Sequence, residues 1–270
     1  MTKKHRYLLA SLLACGCIAL GAGAWVYYLY LSLPPVAWLK YYRPVELTPA
    51  AYARAGKLSS RARPRLRYDL PLKCIPTRMQ EAFIAAEDSD FWHEGAVDYD
   101  AVLRAAYVDL SHWSLEQGAS TITQQVARNL FLSTNKTVTR KVKQIMIAYR
   151  LDADLSKRRI LDLYLNMIYL GQGAYGVQAA SCVYYGKPVW RLTLPQVAML
   201  AGLPAAPSYL NPITDPALAR RRRAYVLQRM AALGYISRQA AQAAMAAPVV
   251  TRYHPQRVAG PAPAMRYGCL

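Results

Sequence analysis

Glu87-Asp-Ser-Asp-Phe-Trp-His-Glu-Gly95 interrupts a chain that otherwise avoids acid: 34 Lys and Arg stand against 15 Asp and Glu in 270 residues. The two adjacent carboxylates close an apolar run, Ala82-Phe-Ile-Ala-Ala86, and an aromatic pair with His93 follows. A carboxyl at the edge of an apolar segment has its charged form disfavoured by burial, which raises its pKa. A general acid or base working near neutral pH needs that shift. The same pattern also describes a helix end with solvated charges, so the rest of the chain has to decide between the two.

Upstream, Leu8–Leu33 runs 26 residues without a charge, behind Lys3, Lys4 and Arg6. As a helix this run spans roughly 39 Å at ~1.5 Å per residue, enough to cross a ~30 Å hydrocarbon layer with tilt. The basic flank predicts a cytoplasmic N-terminus, and Trp25, Tyr27, Tyr28 and Tyr30 predict an aromatic belt at the far interface. A cleaved signal peptide would have a shorter apolar region. The reading is therefore 1–7 cytoplasmic, 8–33 a transmembrane anchor, 34–72 a membrane-proximal connector, 73–250 a helical domain and 251–270 a tail.

Within the domain the apolar spacing is helical and no strand-period segment stands out. Thr77 is placed to cap a helix ending at Glu87, and Asp98 a second one carrying Arg104. In Gly118-Ala-Ser-Thr-Ile-Thr-Gln-Gln-Val-Ala-Arg-Asn129, Thr121, Gln125 and Arg128 share a helical face, with Gln124 one turn before Arg128. Hydroxyls, amides and a cation make poor core and suit a sugar or phosphate. Arg140-Lys-Val-Lys-Gln144 opens a further helix with Val142, Ile145 and Tyr149 inward. Its basic start opposes the helix dipole and so favours a partner anion. Ser156 caps a helix closed by Gly171, Thr193–Leu203 is apolar and helical, and Asp215–Leu233 carries Arg220–Arg223, a run whose commoner fate is solvent. Ser237 caps a last helix. The net charge of +19 points to an anionic partner. Nucleic-acid binding would explain that charge but neither the apolar span nor the acidic motif, so no nucleic acid is expected. The five cysteines include no C-x-x-C pair. Cys74 and Cys182 are candidates to pair, with unpaired core cysteines the commoner state.

Glu87-Asp-Ser-Asp-Phe91, Gly118–Asn129, Arg140–Gln144, Leu155–Asn166 and Gly171–Val177, in that order, resemble the motif set of glycosyltransferase family 51. This is the peptidoglycan glycosyltransferase domain of class A penicillin-binding proteins and of monofunctional transglycosylases. The resemblance implies a mainly α, lysozyme-like domain on the periplasmic face of the bacterial inner membrane, attached by one N-terminal transmembrane helix. It implies polymerisation of lipid II onto a growing glycan strand, with undecaprenyl pyrophosphate leaving and the anomeric configuration inverting. Glu87 matches the family's catalytic glutamate. Ser120, Thr121, Gln125 and Asn129 match its donor-site polar set, and Arg128, Arg140 and Lys141, joined by Arg104, its basic positions; Asp88, Phe91 and Gln124 complete the expected substrate-binding residues. The family also implies Mg²⁺ or another divalent cation, and cell-wall synthesis proteins as partners.

Two departures carry consequences. The family pattern is E-D-x-x-F-x-x-H-x-G, and here His93 and Gly95 each fall one place early. The second acid of the family, in RKxxE, is Gln144. An amide there predicts weaker metal binding, a less basic Glu87 and slow or absent polymerisation. A lipid II-binding relative without turnover is the competing expectation, followed by a lysozyme-like hydrolase. The chain reads as a monofunctional enzyme or as the front of a bifunctional one, with the Pro-rich tail favouring the second.

Overall fold

A computed structural model of the chain describes residues 3–42, 66–99, 120–133, 135 and 137–252. Arg104 and the body of the helix expected after Asp98 lie outside the described residues, as do most of the connector and tail. The fold is mainly helical, as expected. Helix α1 (Lys3–Leu31) is followed by α2 (Thr77–Glu87), α3 (Ile122–Phe131), α4 (Val138–Asp154) and α5 (Lys157–Met167). Then come α6 (Val177–Tyr185), α7 (Leu194–Ala201), α8 (Pro216–Ala232) and α9 (Arg238–Ala246). Residues Ser11–Leu31 of α1 are long and apolar enough to cross a membrane.

Local chemistry sets most helix starts. Thr121, Thr137, Ser156, Asp215 and Ser237 each accept a backbone N–H from the first turn with the side chain. Thr193 and Gln196 form a reciprocal capping box on α7. The expected cap of α2 is displaced: Thr77 is its first helical residue and Pro76 holds the N-cap position without a side-chain bond. Helix α5 ends at Met167, and Gly171 lies beyond it in the loop at φ +83°.

One core joins the helices. Helix α2 packs on α7 and α8, while α3 packs on α4 and α5. Buried Phe83, Phe91, Ile122, Ile147, Leu161 and Tyr164 lie between them. The inward face of α4 is Gln144, Ile147, Ala148 and Leu151, a spacing of three and four. Tyr149 is thereby outward at 45% exposure, against the expectation, and its hydroxyl meets that of Tyr99. A two-residue parallel pair, Leu66–Arg67 with Ala174–Tyr175, is too short to leave a sequence period. It is secured by Asn166, whose side chain exchanges bonds of 2.8 and 2.9 Å with the Leu70 backbone. Gly176, at φ +80°, is required next to it: a Cβ there would lie 2.6 Å from the Asn166 carbonyl oxygen.

Two arginines of the domain hold the segment after α1. Arg150 donates to the carbonyls of Tyr30, Leu33 and Pro34 at 3.1–3.4 Å and lies over the Tyr30 ring. Arg159 donates to the carbonyls of Leu39 and Tyr42. The last carbonyls of a helix lack partners within it, so Arg150 serves as a C-terminal cap supplied from elsewhere in the fold. Cys74 is disulfide-bonded and Cys182 is a free thiol, so the Cys74–Cys182 pair is not formed and Cys74 is not an unpaired core cysteine.

Candidate active site

Helix α2 ends by delivering its two carboxylates to opposite tasks. Asp88 turns back to the protein: its Oδ2 accepts the Ile122 amide at 2.7 Å, at the first residue of α3. A carboxylate at a helix N-terminus satisfies an otherwise unpaired donor and complements the dipole. Glu87 turns to the cations. Its Oε2 accepts from Gln125 Nε2 at 2.9 Å, and its Oε1 lies 3.6 Å from an Arg222 guanidinium nitrogen. Burial raises the Glu87 pKa, with Asp88 adding to the rise, while the Gln125 bond, Arg222 and Arg128 oppose it. Glu87 Oε1 is buried and, among the described residues, accepts no hydrogen bond. An oxygen with hydrogen-bonding capacity left is what a proton-removing base requires.

The polar run on α3 is largely spent inside the protein. Thr121, Gln124 and Gln125 are buried. The Thr121 hydroxyl and the Gln124 amide both donate to the Ala96 carbonyl, at 3.1 and 3.3 Å, tying the loop after Gly95 to α3. Lys141 Nζ donates to Ser120 Oγ at 3.0 Å and to Gln124 Oε1 at 3.1 Å. Burial and the adjacent Arg140 and Arg128 lower its pKa. Arg128 bonds Asn129 Oδ1 at 3.5 Å, and Arg140 Nε is buried with no hydrogen-bond partner among the described residues. Glu87, Gln124, Gln125, Arg128, Arg140 and Lys141 thus come together at the meeting of α2, α3 and α4. Phe91 is fully buried, with Lys157 5.2 Å over its ring, and it shapes the turn below Asp88.

Gln144 is 1% exposed, and its amide nitrogen donates to the Gln124 carbonyl at 3.1 Å. The divalent ion that the resemblance implies does not fit these residues. The amide leaves one neutral oxygen, Lys141 on the same helix is acted on by the cations Arg140 and Arg128, and the carboxylate of the cluster, Glu87, is taken up by Gln125 and Arg222. Among the described residues no group of three or more His, Cys, Asp or Glu side chains is placed to hold a metal.

Four participants escaped sequence reasoning. Arg222 and Arg223 sit in a basic run that reads as solvated, yet only Arg220 and Arg221 are exposed. Arg222 reaches Glu87, and buried Arg223 donates to the carbonyls of Met245, Ala247 and Pro248 at the end of α9. Nothing local in Arg220-Arg-Arg-Arg223 separates these fates; the 3.6-residue turn of a packed helix does. Glu94 occupies the place the family pattern gives to His. Burial and the Asp88 carboxylate beside it push its pKa up to about 9. Tyr164 lies fully buried near Glu87 and packs edge-on against Phe83.

The described residues thus form a helical domain in which a buried glutamate lies beside several cations. The transglycosylase family profile matches residues 55–231, and the chain belongs to that family. Penicillin-binding protein 1A of Escherichia coli is 44% identical over 256 residues, 93% of this chain and 30% of its own length. A Cupriavidus necator protein that carries the name of a transglycosylase is 49% identical over 183 residues, 68% of this chain and 79% of its own. The crystal structure of penicillin-binding protein 1A from Haemophilus influenzae matches 70% of this chain and 19% of its own, at 27% identity and TM-score 0.43. The chain thus spans less than a third of the length of the E. coli relative.

Proposed function

We propose that this chain is a peptidoglycan glycosyltransferase, held at the bacterial inner membrane by α1 with its helical domain on the periplasmic side, that polymerises lipid II. Glu87 carries the reading: a buried carboxylate with a raised pKa and an oxygen that accepts no hydrogen bond among the described residues, positioned by Gln125 and faced by Arg128 and Arg222. In the step, the acceptor sugar hydroxyl forms its bond to the donor anomeric carbon as the carbon–oxygen bond to the diphosphate breaks. The hydroxyl proton passes to Glu87, and the bonding electron pair leaves on the diphosphate oxygen of undecaprenyl pyrophosphate. Arg128, Arg140 and Lys141 meet the negative charge as it develops. One displacement inverts the anomeric centre, as in inverting glycosidases with a sugar hydroxyl in place of water. A hydrolase reading has no diphosphate for these three cations to serve.

The test is incubation of the purified protein with labelled lipid II in detergent, reading glycan strands on a gel and released undecaprenyl pyrophosphate. Strands longer than the starting disaccharide support the reading. Binding of lipid II with no product identifies a lipid II-binding relative without turnover, the alternative that the Gln144 amide favours.

A further inference from the structure

Gln144 makes a hydrogen bond that an ionised carboxylate cannot. Its NH₂ donates to the Gln124 carbonyl at 3.1 Å, and a carboxylate only accepts. The side chain is therefore a staple between α4 and α3. On the same two helices stand Arg128, Arg140 and Lys141. Neutral oxygens hold the Lys141 ammonium, those of Ser120 and Gln124. The charges acting on it are those of Arg140 and Arg128, both repulsive. The Arg140 Nε, buried and with no hydrogen-bond partner among the described residues, adds a donor to the group.

Like charges gathered at partly buried positions are costly unless something offsets them. A divalent cation placed among them would be repelled, whereas a diphosphate would be attracted and would supply acceptor oxygens. We infer that Arg128, Arg140 and Lys141 neutralise the departing diphosphate unaided, with no divalent ion at the position where Gln144 stands. The inference rests on the glycosyltransferase reading and adds to it the manner in which this chain handles its leaving group.

The probe is inorganic pyrophosphate, titrated calorimetrically into the full-length protein in detergent with EDTA present. Saturable binding is expected, weakened at least ten-fold in Lys141→Ala and falling steeply as salt rises. Mn²⁺ titrated into the wild type and followed by electron paramagnetic resonance is expected to give no protein-bound signal. Lipid II turnover is expected to persist within two-fold when EDTA replaces Mg²⁺. Failure of pyrophosphate to bind in EDTA overturns the inference, as does a stoichiometric bound Mn²⁺ signal. Turnover that requires Mg²⁺ overturns it while leaving the glycosyltransferase reading intact. Absence of turnover with and without Mg²⁺, together with pyrophosphate binding in EDTA, instead overturns the catalytic reading and upholds the metal-free anion site.

Discussion

Replacing Asp88 by alanine removes the acceptor that closes α3 at its first residue. The bond from the Ile122 amide is 2.7 Å long and buried. A hydrogen bond to a charged group contributes about 1.5–3 kcal/mol net, and the helix dipole adds about 0.3–1 kcal/mol. Against this stands the desolvation of the carboxylate itself, the largest cause of its raised pKa. The Thr121 cap survives the change, because Thr121 accepts from Gln124 independently at 3.1 Å. The balance is a loss of about 2 kcal/mol, or roughly 4–8 °C in Tm for a domain of this size. Chemical denaturation of wild type, Asp88→Ala and Asp88→Asn measures it. Asparagine retains an acceptor oxygen and is expected to lose less than alanine. An alanine variant within about 0.5 kcal/mol of wild type refutes the reasoning, since the Ile122 amide would then have no need of Asp88.

Arg223→Met leaves three carbonyls at the end of α9 without their donor and is expected to cost about 2–3 kcal/mol in urea unfolding. Because the folded Glu94 carboxyl titrates near 9 against an ordinary value near 4.5, it keeps a proton that the unfolded chain releases. Stability is therefore expected to fall as pH rises between those values, with a shallower slope in Glu94→Gln. Arg150→Ala removes the cap on the segment after α1 and is expected to speed tryptic cleavage at Lys40, read by mass spectrometry. Gln125→Leu deletes the hydrogen bond that holds the Glu87 pKa down. Without that bond the Glu87 pKa rises further, so the acid limb of the polymerisation pH profile is expected to move upward.

Helix starts at Ser156, Thr193, Asp215 and Ser237 were readable because capping is local chemistry. The end of α2 at Glu87 was readable too, as an acid closing an apolar run in a basic chain. What stayed hidden depends on tertiary placement. The hydroxyls and amides of α3 look ligand-facing in sequence, but Thr121 and Gln124 spend their bonds on Ala96 and Lys141. Tyr149 has a good apolar spacing, yet α4 is rotated so that buried Gln144 takes the inward position. The staple from Gln144 to Gln124 explains that rotation: an amide can pair with a buried carbonyl, and once paired it is tolerated in a core. Arg222 and Arg223 differ by one helical step, and only the packing of α8 on α7 and α9 tells them apart.

The central claim is that Glu87 takes the proton while the cations hold the substrate. Single-turnover conversion of lipid II by Glu87→Gln, measured beside lipid II binding to the same preparation, separates the two roles. Loss of a general base lowers the rate by roughly 10²–10⁴. The expected rate is at least ~100-fold below wild type, with binding little changed. A Glu87→Gln protein that builds glycan strands near the wild-type rate contradicts it.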